Sequence, residues 1–410
     1  MEIQARRKMS APIKFSRRSV LAVVIASNVV NILATTMYLP GIPAIAAELA
    51  ADVQSVQLLL TAYLATSALG QLVLGPLSDA TGRRGLVIFG AVFSAFIAVV
   101  CAIATSVDVL IGLRLVQGVT GSAFVVAVRS IVHDINDRSG TARDMAGILL
   151  AISFVAPISQ SVGGVLTELV SWRSTFGVMA GISCLTFLLA LYLLPETNLR
   201  RANRPSFRSY AGAYTALLFS REFHAYAAMN IILFATLYFF YNAFPIILIK
   251  SYRLSPSGYG PVALLCASGM FLGSLISNRM AIGRDPDWLL CLGISVSGLA
   301  GIAMLAPLVC GTLPLSMVIA IPFVWFVGYG ISLPNAIAGA MSACPSASGA
   351  SAALLGFVQI GAGAGGSAIS GVIRTPTGLF LTIAGLAMAN LVIRFSTLRR
   401  PLDLANVPDH

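Results

Sequence analysis

The sequence predicts an all-α, polytopic membrane protein, and three observations carry this prediction: its composition, the spacing of its apolar segments and the placement of its basic residues. Hydrophobic residues make up 57% of the 410 residues and charged residues only 10%, compared with about a quarter charged in an average soluble protein. The mean hydropathy is +0.89. So few charges cannot cover a soluble globule of this size, which argues against a cytosolic enzyme, a nucleic-acid-binding protein or a disulfide scaffold.

Apolar segments of membrane-spanning length recur along the whole chain. A hydrocarbon core about 30 Å thick is crossed by about 20 apolar residues in a helix, and twelve such segments are found. We number them spans 1 to 12 and expect a helix in each. Their approximate bounds are 19–39, 54–77, 85–105, 108–132, 145–166, 173–194, 224–249, 259–278, 288–309, 312–334, 350–373 and 378–397.

The Lys and Arg residues lie mainly on one side of this predicted bundle. With a cytoplasmic amino terminus, twenty of the 26 fall in cytoplasmic segments and four in the opposite loops, while Arg114 and Arg129 lie inside span 4. A bias of this kind sets the orientation of membrane proteins, so the net charge of +11 needs no nucleic-acid partner. We expect a multi-pass membrane protein with both termini in the cytoplasm.

The longest polar interruption, residues 196–223, divides the chain into six spans plus six. Near-equal halves are typical of transporters with internal repeats, whose solute site lies between the halves near the middle of the membrane. The predicted order is a cytoplasmic tail (1–18), a six-helix bundle (19–195), a cytoplasmic central loop (196–223), a second six-helix bundle (224–397) and a cytoplasmic tail (398–410).

Short motifs at three places carry a family resemblance. Residues 75–84, after span 2, read GPLSDATGRR, and residues 37–40, at the end of span 1, read MYLP. Span 4 contains RLVQG at 114–118, followed by RSIVHD at 129–134. Together they resemble the major facilitator superfamily and, within it, the bicyclomycin and chloramphenicol-resistance branch of drug:proton antiporters. The resemblance extends over essentially the whole chain and implies two pseudo-symmetric bundles of six helices.

The motif after span 2 predicts a gating element built from Asp79, Gly82, Arg83 and Arg84. A carboxylate at the end of a helix is disfavoured by the negative end of the helix dipole, so Asp79 needs a partner. Arg83 at i+4 or the amino end of another helix could supply it. The family resemblance implies the second, a contact with the start of span 11 around residues 346–349 that clasps the halves and breaks during transport. The alternative is a solvated turn with ordinary topogenic arginines.

Arg114 is the strongest single candidate for a functional residue in the sequence. A charge inside a membrane helix predicts a functional site by default, and a rise of 1.5 Å per residue from Asp108 places Arg114 about 9 Å below the membrane edge. Gln117 follows on the same helical face. A cavity role is therefore favoured over snorkelling of the side chain to the interface, and the resemblance implies a part in proton coupling.

Span 1 is predicted to face Arg114 with Asn28, Asn31 and Thr35, which share one helical face. None of the fifteen Asp and Glu residues lies well inside a predicted span. The branch that the motifs resemble has an acidic residue directly before its MYLP motif, and this sequence has Thr36 there. A hydroxyl does not titrate in a range that suits a proton carrier.

Spans 7 and 10 carry polar and aromatic residues at helical spacing. Aromatic rings with polar tips suit flat, partly apolar solutes, whereas interhelical packing is the ordinary alternative. The resemblance implies that spans 1, 4, 7 and 10 line the central cavity. The predicted cavity residues on spans 7 and 10 are Asn230, Phe234, Tyr238, Tyr241, Trp325 and Tyr329.

These residues predict a secondary transporter, not an enzyme, for a small amphipathic or aromatic molecule. Drug-type efflux coupled to protons is the leading hypothesis. Uptake or facilitated movement of a flat nutrient such as a vitamin is the second, and a non-transporting membrane receptor is the third. We expect a monomer surrounded by lipid, with no cofactor, no metal site and no nucleic-acid partner.

Overall fold

The computed structural model describes most of the chain. The described residues are 16–136, 154–198, 221–281, 284–306, 314–342, 348–373 and 375–397, together with 144, 147, 148, 151, 152 and 215. Within these ranges all regular secondary structure is helical, and they contain no β-strand.

Twelve long helices, α1 to α12, correspond one to one with the predicted spans. Eleven of the membrane-length segments in the described chain are apolar enough to cross a bilayer. The exception is α5, whose described helix has 15 residues; residues 145, 146, 149, 150 and 153 of its predicted span lie outside the described residues. The helices are Arg17–Thr36, Val53–Thr81, Arg83–Ala102, Val107–Asp134, Val155–Leu169, Trp172–Leu193, Arg221–Ser251, Pro256–Met280, Pro286–Ala303, Leu315–Ser342, Ser348–Ser370 and Pro376–Thr397.

Helix α1 ends at Thr36, earlier than predicted, and the reason is Pro40. A proline has no N–H to donate to the carbonyl four residues before it, and its ring collides with that carbonyl. The chain instead makes a single 3₁₀ turn over Leu39–Gly41 and continues as a short helix, Ile42–Glu48. The MYLP motif therefore marks a break in the first membrane crossing.

The helices pack as two halves, each with its own apolar core. We call the face at which α1 begins and α12 ends the near face, and the opposite face the far face. The first half has one core cluster around Val24 and Phe124 and another around Leu60 and Phe176. The second half has one around Phe240. The halves meet where α2 packs on α11 and where α5 packs on α8.

Gly163 permits the close approach of α5 to the break after α1. A Cβ atom at this position would overlap the main-chain carbonyl oxygen of Met37, whereas one at Gly177 on α6 would meet nothing within 4 Å. Main chain cannot move aside as a flexible side chain can, so overpacking of about 1–3 kcal/mol is expected from Gly163→Ala.

We therefore expect Gly163→Ala to lower the apparent melting temperature of the purified protein by about 5 °C. The matched change Gly177→Ala adds a better helix former in open space and should leave it unchanged or slightly higher. Thermal unfolding in detergent, followed by the loss of monodisperse protein on size exclusion, measures both. Equal melting temperatures for the two variants would contradict the assignment of this contact.

Candidate functional site

Arg114 lies in the middle of the first half with its side chain completely buried (0% exposed). One guanidinium nitrogen, Nη2, donates a hydrogen bond to the main-chain carbonyl of Ala34 on α1. The other, Nη1, donates to Oε1 of Gln117 at 2.7 Å. Gln117 in turn lies with its Nε2 3.3 Å from the sulfur of Met179 on α6. The side chain therefore joins α1, α4 and α6.

Aromatic rings surround the guanidinium. Its carbon lies 4.5 Å from the ring centre of Tyr38, 5.0 Å from that of Tyr63 and 5.9 Å from that of Phe176. A cation over an aromatic face is stabilised by the ring quadrupole, more strongly when water is excluded. Among the described residues, no carboxylate forms an ion pair with Arg114. Rings and main chain, which the sequence does not reveal, balance this charge.

Arg114 also caps α1. The carbonyl groups in the last turn of a helix have no partner within the helix, and the helix dipole places partial negative charge there. Ala34 lies in that last turn, two residues before the helix ends at Thr36. The buried guanidinium gives this carbonyl a hydrogen-bond donor and places a positive charge beside the partial negative charge at the end of the helix. The site thus depends on the break that Pro40 imposes on the first crossing.

The structure brings one of the three predicted α1 side chains into the Arg114 cluster. The hydroxyl of Tyr63 donates to Oδ1 of Asn31 at 2.7 Å, so Asn31 contacts a ring that covers the guanidinium. Asn28 and Thr35 bond to carbonyl groups of their own helix. Helix α1 therefore contacts Arg114 through the main-chain carbonyl of Ala34. Its Asn31 side chain reaches the cluster through Tyr63 of α2.

Thr36, at the position where an acid was expected from the resemblance, makes a specific contact. Its hydroxyl lies 2.6 Å from the hydroxyl of Ser159 on α5, and it also donates to the carbonyl of Ile32 at 2.8 Å. Both hydroxyl groups are buried. The position therefore holds a neutral hydrogen bond between α1 and α5.

The aromatic face of α7 is half-buried and turned toward the first half. The ring centres of Phe234 and Tyr238 are 6.5 Å apart, and those of Tyr238 and Tyr241 are 6.1 Å apart. Both tyrosines pack against the first-half core cluster around Leu60 and Phe176. This face keeps partial exposure, as do Asn28 and Asn31 on α1. Polar and aromatic surface from both halves is thus available near the middle of the fold.

The other predicted residues of α7 and α10 are packed inside the second half. Asn230 is fully buried, donates to the carbonyl of Ala336 at 3.0 Å and accepts from Nε2 of Gln359 at 3.0 Å. Trp325 and Tyr329 lie in the apolar core, with their ring centres 5.3 Å apart. In this conformation these three residues hold helices together, so their cavity role stays a prediction.

The gating motif forms a charge network within the first half. Nη2 of Arg83 lies 2.5 Å from Oδ1 of Asp79, and its Nε lies 3.1 Å from Oδ2 of Asp134 at the end of α4. The main-chain N–H of Arg83 donates to Oε1 of Glu196 at 2.9 Å, just after α6. The network joins the near-face ends of four helices. Asp134 is the last residue of the RSIVHD motif, but the spacing along the sequence does not predict that it pairs with Arg83.

Gly82 makes this network possible by its backbone conformation. Its φ of 106° and ψ of 161° reverse the chain between α2 and α3, a conformation that favours glycine. Arg84 points elsewhere and donates to the carbonyl of Leu191 at 2.8 Å. Of the two partners considered for Asp79, the structure shows Arg83. The side chains around 346–349, the other predicted partner, lie outside the described residues.

The two halves are joined at the far face. Hydrogen bonds join α2 of the first half to α7 and the end of α11, and α5 to α8, and all of these lie in the far part of the fold. A cavity of about 590 Å³ opens at the same face, between the short helix after α1, the start of α2 and the end of α7. The fold is therefore closed between the middle of the protein and its far face.

A membrane bundle of two six-helix halves, with polar surface enclosed between them and one face closed, defines a polytopic membrane transporter. The chain belongs to the Major Facilitator Superfamily, whose sequence pattern matches residues 24–370. This confirms the resemblance seen in the motifs.

Named relatives fit this membership. The chain is 27% identical over 333 residues to the "Bicyclomycin resistance protein homolog" of Haemophilus influenzae, covering 80% of this chain and 82% of that one. It is 28% identical over 305 residues to the "Multidrug resistance protein MdtL" of Salmonella typhimurium, covering 73% and 76%. The fold matches a partially occluded, inward-open structure of the xylose transporter XylE from E. coli, with a TM-score of 0.72, 10% identity and coverage of 93% and 97%.

Proposed function

We propose that this chain exports small amphipathic or aromatic organic molecules of the drug class, in exchange for protons, by alternating access. One observation carries the proposal: the halves are bonded at the far face, while asparagine side chains of α1 and tyrosine side chains of α7 stay partly exposed. Tyrosine rings stack on flat solutes and their hydroxyl groups hydrogen-bond. The names of the relatives from Haemophilus influenzae and Salmonella typhimurium support the drug class.

We place the near face in the cytoplasm of a bacterial inner membrane. In the predicted topology, twenty Lys and Arg residues fall in segments on the side where α1 begins and four in loops on the opposite side, and basic residues are retained on the cytoplasmic side. Both termini are then cytoplasmic. A transporter closed at the far face is in the state that an exporter needs in order to take up solute from the cytoplasm.

Inside-out vesicles that contain this protein test the export proposal. We expect ATP-energised vesicles to accumulate ethidium or chloramphenicol several-fold above vesicles without the protein, because their exposed face is the cytoplasmic one. Vesicles carrying Tyr238→Ala, which removes a ring from the α7 face, should accumulate less. No accumulation of any dye or antibiotic in a panel, under either direction of the proton gradient, would contradict the proposal.

Thr36 favours a second candidate, facilitated movement of a flat nutrient without proton coupling. Its buried hydrogen bond to Ser159 is neutral, and Arg114 is balanced by rings and main chain instead of a carboxylate. A protonophore separates the two candidates. An antiporter stops moving solute uphill when the proton gradient collapses, whereas a facilitator continues to equilibrate its solute at the same initial rate.

A further inference from the structure

Two buried amide side chains join the halves at the far face. Nε2 of Gln57, on α2 of the first half, donates to the main-chain carbonyl of Asn242 at 3.3 Å. Nδ2 of Asn242, on α7 of the second half, donates to the main-chain carbonyl of Gln57 at 3.2 Å. The two residues thus exchange side-chain to main-chain hydrogen bonds. They are 4% and 0% exposed, so water does not compete for these bonds.

Hydroxyl groups of α11 complete this layer. Nδ2 of Asn242 also lies 2.8 Å from Oγ of Ser367, and Thr61 on α2 donates to the same oxygen at 2.9 Å. Nε2 of Gln57 lies 3.4 Å from Oγ of Ser370. The layer therefore contains α2 from one half and both α7 and α11 from the other. None of its members carries a charge.

The position of the layer separates two spaces. On its far side, Gln57 lines the cavity of about 590 Å³. On its near side, Tyr241 and Tyr238 precede Asn242 on α7 by one and four residues, and they belong to the half-exposed aromatic face. A solute that moves along α7 from this face to the far side passes the point between α2 and α7 where the amides meet.

We propose that Gln57 and Asn242 form the far-face gate of the transport cycle, an inference that rests on the proposed function. The gate is closed in this structure and opens when the halves separate at the far face. Each neutral hydrogen bond contributes only modestly, because water replaces it when the gate opens. A gate of this kind is readily reversible. Buried ion pairs would have to be broken at a greater cost.

An uncharged gate also has a specific signature. Surface ion pairs weaken as salt screens them, whereas amide and hydroxyl hydrogen bonds carry no net charge to be screened. The contribution of this layer to far-face closure should therefore be the same at low and high salt, in contrast to that of the charged near-face network around Arg83.

The test measures access from the far face to a reporter beyond the gate. Phe234→Cys places a thiol on the α7 face, and Ala47→Cys places one in the far-face cavity as an always-accessible reference. Right-side-out vesicles are treated with a membrane-impermeant maleimide, and labelling of the chain with native cysteines alone is subtracted. We expect Gln57→Met or Asn242→Leu to raise the labelling rate at Phe234→Cys about tenfold, without change at Ala47→Cys.

Two threonines of α2 provide a matched control. Thr61 donates across the halves to Ser367, whereas Thr66 donates to carbonyl groups of its own helix. Thr61→Val should raise labelling beyond the gate and Thr66→Val should not. The exchanged pair Gln57→Asn with Asn242→Gln keeps two amides facing each other and should restore slow labelling in part, which a general loss of packing would not allow.

The gate and the proposed function fail separately in these experiments. Unchanged labelling at Phe234→Cys in both amide variants, with reference labelling intact, would overturn the gate. Equal effects of Thr61→Val and Thr66→Val would overturn it as well. Accessibility needs no substrate, so a labelling increase without transport of any drug would retain the gate while removing the export proposal.

Discussion

Replacement of Arg114 by alanine is expected to reduce transport at least about 100-fold while the protein still inserts into the membrane. The change removes two hydrogen bonds, to Ala34 and to Gln117, and leaves a cavity among Tyr38, Tyr63 and Phe176. Unpaired buried acceptors cost about 1–3 kcal/mol each. Loss of the cap frees the end of α1, and α1 carries Asn31, one of the partly exposed polar side chains near the middle of the fold. We therefore expect solute binding and coupling to be impaired together.

The measurement is the initial rate of dye accumulation in inside-out vesicles, normalised to the amount of membrane-inserted protein. Arg114→Lys sharpens the interpretation, because it keeps a positive charge but not the planar fork that reaches two acceptors at once. We expect it to recover less than a tenth of the activity. Arg279→Ala removes an exposed arginine at the end of α8 and should transport normally. Near-normal transport by Arg114→Ala would remove this residue from the mechanism.

The sequence was sufficient to predict the spans and to place Arg114 inside one of them, facing the protein interior. In lipid, every backbone polar group must be satisfied internally, so apolar length alone predicts where helices cross. A charge in such a span needs a reason to be there, which singles out Arg114 without any structure. Helix α10 nevertheless continues to Ser342, eight residues past its predicted end at 334, because Pro334 is accommodated inside the helix. Proline is tolerated there in membrane helices.

The partners of these residues could not be predicted. The rings over Arg114 come from the turn that follows α1, from α2 and from α6. An aromatic residue in an apolar span has the same signature whether it packs against lipid, a cation or a neighbouring helix. The gate amides were also missed. Their signal was present in the sequence, since Gln57 and Thr61 are polar, lie inside an apolar span and share one face at i and i+4.

Burial also separates the predicted cavity residues from one another in a way that spacing does not. Phe234, Tyr238 and Trp325 all lie at helical spacing with polar or aromatic neighbours, yet Trp325 is enclosed in the second-half core while the other two keep partial exposure. A helix in a bundle presents one face to the cavity and adjacent faces to its neighbours. A rotation of the helix by less than about 100°, the angle between successive residues, decides which face a side chain lies on. Only the packing of the folded protein fixes that rotation.

Arg83→Ala is expected to reduce transport about tenfold or more and to lower thermal stability. The Arg83 side chain is 8% exposed and lies between the carboxylates of Asp79 and Asp134, which are 24% and 19% exposed. Its removal takes away the guanidinium that pairs with both of these partly buried like charges. Breaking a fully buried pair costs about 3–5 kcal/mol and an exposed one less than about 1 kcal/mol, so an intermediate cost is expected. The near-face ends of α2, α3, α4 and α6 would loosen together.

Arg84 is the matched control for this prediction. It is the next residue, has the same chemistry and donates to the main-chain carbonyl of Leu191. Arg84→Ala should keep transport within about twofold and leave the melting temperature unchanged. If the two variants behaved alike, the motif would act only by placing positive charge at the membrane surface. If Arg83→Ala alone failed, and Arg83→Ala combined with Asp134→Asn recovered part of the activity, the loss would come from uncompensated negative charge. The near-face network would then hold the first half together as one body while the neutral far-face layer opens and closes.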